Sequence, residues 1–264
     1  MRVMKAFIRR AFATTFIYRL QFWLYIVGMF IMMYATYSIW SILYKQSPNA
    51  FGMDVERMRT YGVLGVMLMI VMDSAEMTQW YIAEQVRQGT LELDLLKPLD
   101  FMFHMFCSNA GALISEIAVV LLPSLVFAYL VLDFKPPADA NAALGFVASL
   151  ALGYLIFFFA NFIVGLLSIV TLDIRSYAWA YNSLVRFTSG QIVPLWMFPA
   201  PLAALMGALP FQAVFFVPMS IYIGAHEGSI AGALAFQSAW AVGLFAVARL
   251  FWARVQRRIT IQGG

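Results

Sequence analysis

Four ionisable residues stand inside long apolar runs, where chemistry is costly and therefore informative. Asp73 and Glu76 are the only charges between Tyr61 and Ile82, Glu116 is the only one between Phe101 and Leu132, and Arg186 interrupts a further apolar stretch. On a helix Asp73, Glu76, Trp80 and Glu84 fall along one stripe by their i, i+3, i+4 spacing. Asp73, Glu116 and Arg186 each lie roughly 15 to 20 Å from one end of their helix at 1.5 Å per residue. Charges at that depth face a bundle interior or a wet cavity, not lipid. Two readings follow. Arg186 pairs with at least one acid as a structural ion pair, or the acids line a substrate path that favours cationic or amphipathic molecules.

Other chemistry is missing. No GxxxxGK[ST] loop occurs, so ATP is not expected to be bound or hydrolysed by this chain. His226-Glu227 lacks a second histidine at zinc spacing, and His104 with Cys107 offers only two ligands. No serine sits in a GxSxG elbow. Catalytic, cofactor and metal sites are accordingly expected to be absent. Cys107 is the only cysteine, which excludes an intrachain disulfide and fits a small packing residue.

The elements that must position these charges are membrane helices. The chain is 264 residues long, 63% hydrophobic and 11% charged, with a mean hydropathy of +0.82, where soluble domains carry about 25% charged residues. Its long unbroken apolar runs predict spanning helices and argue against a β-barrel. The net charge of +4 gathers at the chain ends and membrane edges, so lipid headgroups rather than nucleic acid are its expected counter-charge. Residues 1–18 form an amphipathic pattern that predicts an interface helix. Spans are expected over about 20–43, 61–82, 104–132, 144–172 and 229–252. Gly145, Ser149 and Gly153 give the fourth a face for close packing.

Between Tyr177 and Gly224 the prolines 194, 199, 201, 210 and 218 break the pattern. Basic clusters at both termini place both in the cytoplasm by the positive-inside rule, and an even number of crossings follows. The expected solution is an all-α integral membrane protein with six transmembrane helices. Its fifth span covers about 176–194, and an outer-side re-entrant hairpin over 196–222 separates the fifth from the sixth.

The polar island Glu84–Asp100, EQVRQGTLELDLLKPLD, then lies on the cytoplasmic side. Gly89 is expected to end the preceding helix, Thr90 to cap a short turn, and Pro98 to stop it. Leu91, Leu93, Leu95 and Leu96 need a protein surface or the lipid interface to cover them.

Three segments, VRQGTLELDLLKPL, SGQIVPLWMFPAPL with LPFQAVFFVP downstream, and RRITIQGG, resemble a family of permease subunits of type-2 ABC exporters. The resemblance implies a single permease domain over 1–264 in the bacterial cytoplasmic membrane, docked on a separate ABC ATP-binding subunit that carries ATP and Mg. It also implies a second permease chain, the same or homologous. The docking residues would be Glu84, Arg87, Gly89, Thr90, Leu91, Leu96, Lys97 and Pro98. Gly89 reverses the chain, the leucines fill a groove, and Arg87 and Lys97 fix register. The alternative is a proton-coupled secondary transporter using Asp73, Glu76 and Glu116, against which no inverted repeat is visible. A membrane enzyme lacks a nucleophile, a metal set or a paired acid and base at a membrane edge.

Overall fold

The computed structural model describes residues 19–46, 52–171 and 174–258, and every regular element among them is helical. The 1–18 segment and most of RRITIQGG (residues 259–264) lie outside the described residues. Helix α1 spans Arg19–Gln46. Helix α2, Val55–Gln88, starts on Asp54, whose carboxylate accepts from the Arg57 N–H at 2.8 Å. Its 34 residues extend about 50 Å at 1.5 Å per residue, well beyond a hydrocarbon core of about 30 Å. A short helix α3, Leu91–Leu95, precedes α4, Phe101–Glu116. One π-helical turn, Ile117–Leu121, joins α4 to α5, Leu122–Val131. Pro123 explains that turn: it lacks an N–H and its ring collides with the carbonyl four residues back, so the ladder widens before it.

Helix α6, Ala140–Leu166, is capped by Asp139 and followed by the single turn α7, Ser168–Thr171. Next come α8, Arg175–Thr188, then α9, Ala200–Ala208, and α10, Phe216–Tyr222. Helix α11, Ile230–Val255, starts on the hydroxyl of Ser229, which accepts from Gly232. Among the described residues five helical segments are long and apolar enough to cross a membrane: those of α1, α2, α4 with α5, α6 with α7, and α11. Helices α2 and α6 are the central pair, most of their length buried, while the others expose apolar faces such as Leu24, Leu130 and Leu250. Tyr61 and Met67 on α2 and Phe158 and Phe162 on α6 are buried.

The 176–194 region does not form a helix of full membrane length. Helix α8 has 14 residues, about 21 Å, and the chain from Ser189 to Pro194 is irregular. It runs antiparallel to α2. Arg175 shares a groove with Glu84, Asn182 bonds Gln79 and Glu76, and Gly190 accepts from the Tyr61 hydroxyl.

The proline-rich stretch that follows leaves and returns at one end of the bundle. Trp196 meets the Tyr61 ring edge-on at 5.6 Å, and Tyr222 returns beside the loop before α6, its carbonyl accepting from Ala138 at 3.0 Å. Between them Phe211 reaches Tyr181, and Ala213 reaches Gly153. The small face of α6 receives the Ile230 side chain of α11 at Gly145 and backbone at Gly153, where a Cβ would stand 3.0 Å from the Ala213 carbonyl oxygen. Gln237 on α11 fixes the same point, its fully buried amide donating to the carbonyls of Ala213 at 2.7 Å and Ser149 at 3.0 Å. Gln237→Leu leaves the Ala213 carbonyl unsatisfied in the interior and is expected to destabilise the protein by about 1–3 kcal/mol. A lowered unfolding midpoint in detergent would register the loss.

Candidate functional site

The polar connection is built from the end of α2. The helix persists through Gln88, and Glu84 accepts from Arg87 at 2.7 and 3.0 Å and from Gln88. Gly89 then takes φ 68° and ψ 21°, its N–H returning to Val86, and the chain reverses as its sequence predicts. Thr90 departs from expectation. Its hydroxyl makes no cap bond and donates at 2.6 Å to the Gln85 side-chain carbonyl, which the reversal has brought within reach.

The leucines of α3 divide between two environments. Leu91, expected among the docking residues, is only 4% exposed and belongs to the main core of the chain. Leu93 and Leu96 are 63% and 80% exposed. The turn is pinned from below by Asp94, a buried carboxylate that accepts from the Tyr81 hydroxyl at 2.8 Å and from Lys97 at 2.5 Å. The Lys97 ammonium also lies 3.2 Å from His104 Nε2, so it holds the turn to α4. Pro98 follows, exposed, past the end of α3.

Two contacts tie this connection to α11. Asp100, the N-cap of α4, pairs with Arg249 at 2.5 Å, and the Phe101 ring stacks on Trp252 at 4.8 Å. Partial burial pushes the Asp100 carboxyl upward, but the Arg249 guanidinium and the Phe103 amide outweigh it and hold its pKa below the usual carboxylate range. Its contribution to stability is therefore present above the ordinary carboxylate pKa and fades as pH falls through the lowered value.

The charges inside the spans gather in two places. Asp73 and Glu76 on α2 and Asn182 and Arg186 on α8 line one cavity of about 150 Å³, together with Gln191 and Tyr25. Glu116 does not line it; that carboxylate neighbours Ser74 and Asp73 from α4. No ion pair within 4.0 Å involves Arg186 among the described residues, so the expected direct pairing is not formed. An amide takes its place: Asn182 Nδ2 donates to Glu76 Oε1 at 3.0 Å and its Oδ1 accepts from Gln79 at 3.2 Å. Asn182 precedes Arg186 by one turn on the same face of α8, a spacing that carries the signal although the residue is uncharged.

Two further spaces share lining residues in series from this cavity toward the connection. Asn182 and Arg186 also line a space of about 540 Å³ with Trp80, Arg175, Trp179 and Ser183. Trp80 and Arg175 in turn line a space of about 470 Å³ that includes Glu84 and Arg87. The arrangement places an exposed apolar turn at one end of α2, and a polar, partly open cavity midway along it.

The family model of ABC-2 family transporter proteins matches residues 30–263. No curated protein matches the chain.

Proposed function

We propose, from the premise that this chain belongs to the ABC-2 family of transporter proteins, that it is the permease subunit of an ATP-driven exporter whose ATP-binding subunit docks on residues 84–98. Membership makes the chain a multi-pass transport permease that works with an ATP-binding subunit. ATP and Mg belong to that partner. The observation that carries the docking reading is the pair Leu93 and Leu96, held outward on a turn whose other side is fixed by Leu91, Asp94 and Lys97. Apolar side chains on a rigid turn between charges suit a groove in another protein.

Both termini and the connection lie in the cytoplasm of a bacterial inner membrane in this reading. Helix α8 with Ser189–Pro194 is the short fifth of six crossings, and Trp196–Tyr222 re-enters from the outer side. The antiparallel register of α8 along α2 supports it. The exposed polar stripe of α8, Arg175, Ser183 and Arg186, is unsuited to lipid. It faces the translocation path and a second permease chain, which together supply the other wall.

Purification of the tagged chain in mild detergent from its own host is the test. An ATP-binding subunit is expected to co-purify and the eluate to hydrolyse ATP. A chain that purifies alone and, once reconstituted, transports on a proton gradient without ATP overturns the exporter and makes Asp73, Glu76 and Glu116 a proton route.

A further inference from the structure

The cavity between α2 and α8 holds two opposite charges that do not meet. Asp73 enters from α2 and Arg186 from α8. Among the described residues neither has an ion pair within 4.0 Å, and Glu76, the acid that could have reached across, is occupied by Asn182. Asp73 is half-buried and Arg186 lies on the exposed side of α8, so both charges are open to a group bound between them, and at membrane depth each is costly without one. Asn182 and Arg186 line both this cavity and the larger groove beside it, so a group bound between the two charges has a place for whatever it carries.

We infer that this cavity binds a zwitterionic head group, cation toward Asp73 and phosphate- or carboxylate-like anion toward Arg186, whose apolar tail lies in the groove between Trp80 and Trp179. The inference rests on the exporter reading and names the class of its substrate. Size supports the division. A space of about 150 Å³ has room for a head group but not for the body of an amphiphile. The adjoining groove of about 540 Å³ is lined by the indoles of Trp80 and Trp179, against which the tail would lie, and by the polar Arg175, Asn182, Ser183 and Arg186, with Trp179 exposed.

Charge supports it too. A purely anionic head group meets Asp73 and Glu76 at the same cavity, and a purely cationic one meets Arg186. Guanidinium gives bidentate bonds to phosphate or carboxylate, so the anion belongs at Arg186. Arg175 stands on the same face three turns earlier, at the groove's other end, where an entering anion would first be met.

The test uses the purified complex with its ATP-binding subunit in nanodiscs of uncharged glycolipid. Energy transfer from tryptophan is measured to three dansyl-tailed probes: a phosphatidylethanolamine, a phosphatidic acid and an alkylamine. The phosphatidylethanolamine is expected to bind tightest. Asp73→Asn and Arg186→Gln should each weaken it at least about tenfold, the loss of one charge-assisted hydrogen bond. Asp73→Asn should spare phosphatidic acid and Arg186→Gln should spare the alkylamine.

Trp179→Ala, an exposed change that leaves the fold intact, should weaken all three probes and keeps the test valid if a charge variant fails to assemble. Phosphatidic acid binding as tightly as phosphatidylethanolamine, or both charge variants binding phosphatidylethanolamine like the unmodified protein, overturns the inference. Free phosphoethanolamine should not compete at millimolar concentration; if it does, the ligand is a soluble zwitterion and the tailed substrate is wrong. Failure of the exporter reading is seen separately, as absence of the ATP-binding subunit from the preparation.

Discussion

Replacing Leu93 and Leu96 together by Asp should release the ATP-binding subunit while the permease remains folded. Both side chains are mostly exposed in the isolated chain, so changing them removes no internal packing. In the complex each would be buried, and a buried leucine contributes about 1.5–3 kcal/mol. Loss of the pair then weakens association by roughly 100- to 10,000-fold, before the cost of placing two carboxylates against an apolar groove. The ATP-binding subunit should vanish from the permease peak on size-exclusion chromatography, and ATP-dependent transport should vanish with it. Leu91→Asp should behave differently. Leu91 is buried in the chain's own core, so a carboxylate there costs at least about 3 kcal/mol of folding stability and should lower the yield of folded permease. If Leu93→Asp with Leu96→Asp leaves the complex intact and Leu91→Asp alone dissociates it without unfolding, the docking face has been assigned to the wrong side of α3.

That distinction shows what the sequence could express. Long apolar runs fix the five long helical segments because backbone groups in lipid must be satisfied within the helix. Gly89 is legible as a reversal because only a left-handed residue ends α2 in that way. The face of α3 is not legible. Four leucines in six positions, interleaved with Glu92 and Asp94, give no single period, and the choice is made by Tyr81, thirteen residues earlier, which draws Asp94 inward.

Composition marks the mid-span charges but not their partners. Helix α8 offers both Arg186 and Asn182 to Glu76, and which one reaches the carboxylate depends on the packing distance between two helices rather than on residue type. The path of 196–222 shows the same limit. Prolines mark where helices stop, yet the depth of Ala213 is set by two residues far from it, Gly153 through its missing side chain and Gln237 through its amide.

Gly190→Ala should be among the most damaging single-methyl changes available in this chain. Gly190 stands where α8 gives way to the proline-rich stretch, with φ 74°, a left-handed conformation that costs an L-residue about 1–2 kcal/mol. Space is lacking as well: a Cβ would lie 2.5 Å from Leu195 Cδ1 and 2.8 Å from the Cβ of Phe216. The leucine tip can move, but Phe216 is tethered, its N–H donating to the Ser189 carbonyl at 3.0 Å, so overpacking adds about 1–3 kcal/mol. The carbonyl of Gly190 also accepts from the Tyr61 hydroxyl, and a shift of the backbone would strand that buried phenol. A total of about 2–5 kcal/mol corresponds to an unfolding midpoint lowered by roughly 10 °C for a chain of this size. Gly228→Ala separates the two causes. Gly228 has φ 98° but nothing within 4 Å of its added Cβ, so only the conformational part remains, about 1–2 kcal/mol. Equal losses in the two variants would mean that the corner yields to Leu195 and Phe216 without strain, and that the stretch from Trp196 to Tyr222 is held by Gln237 rather than by its junction with α8.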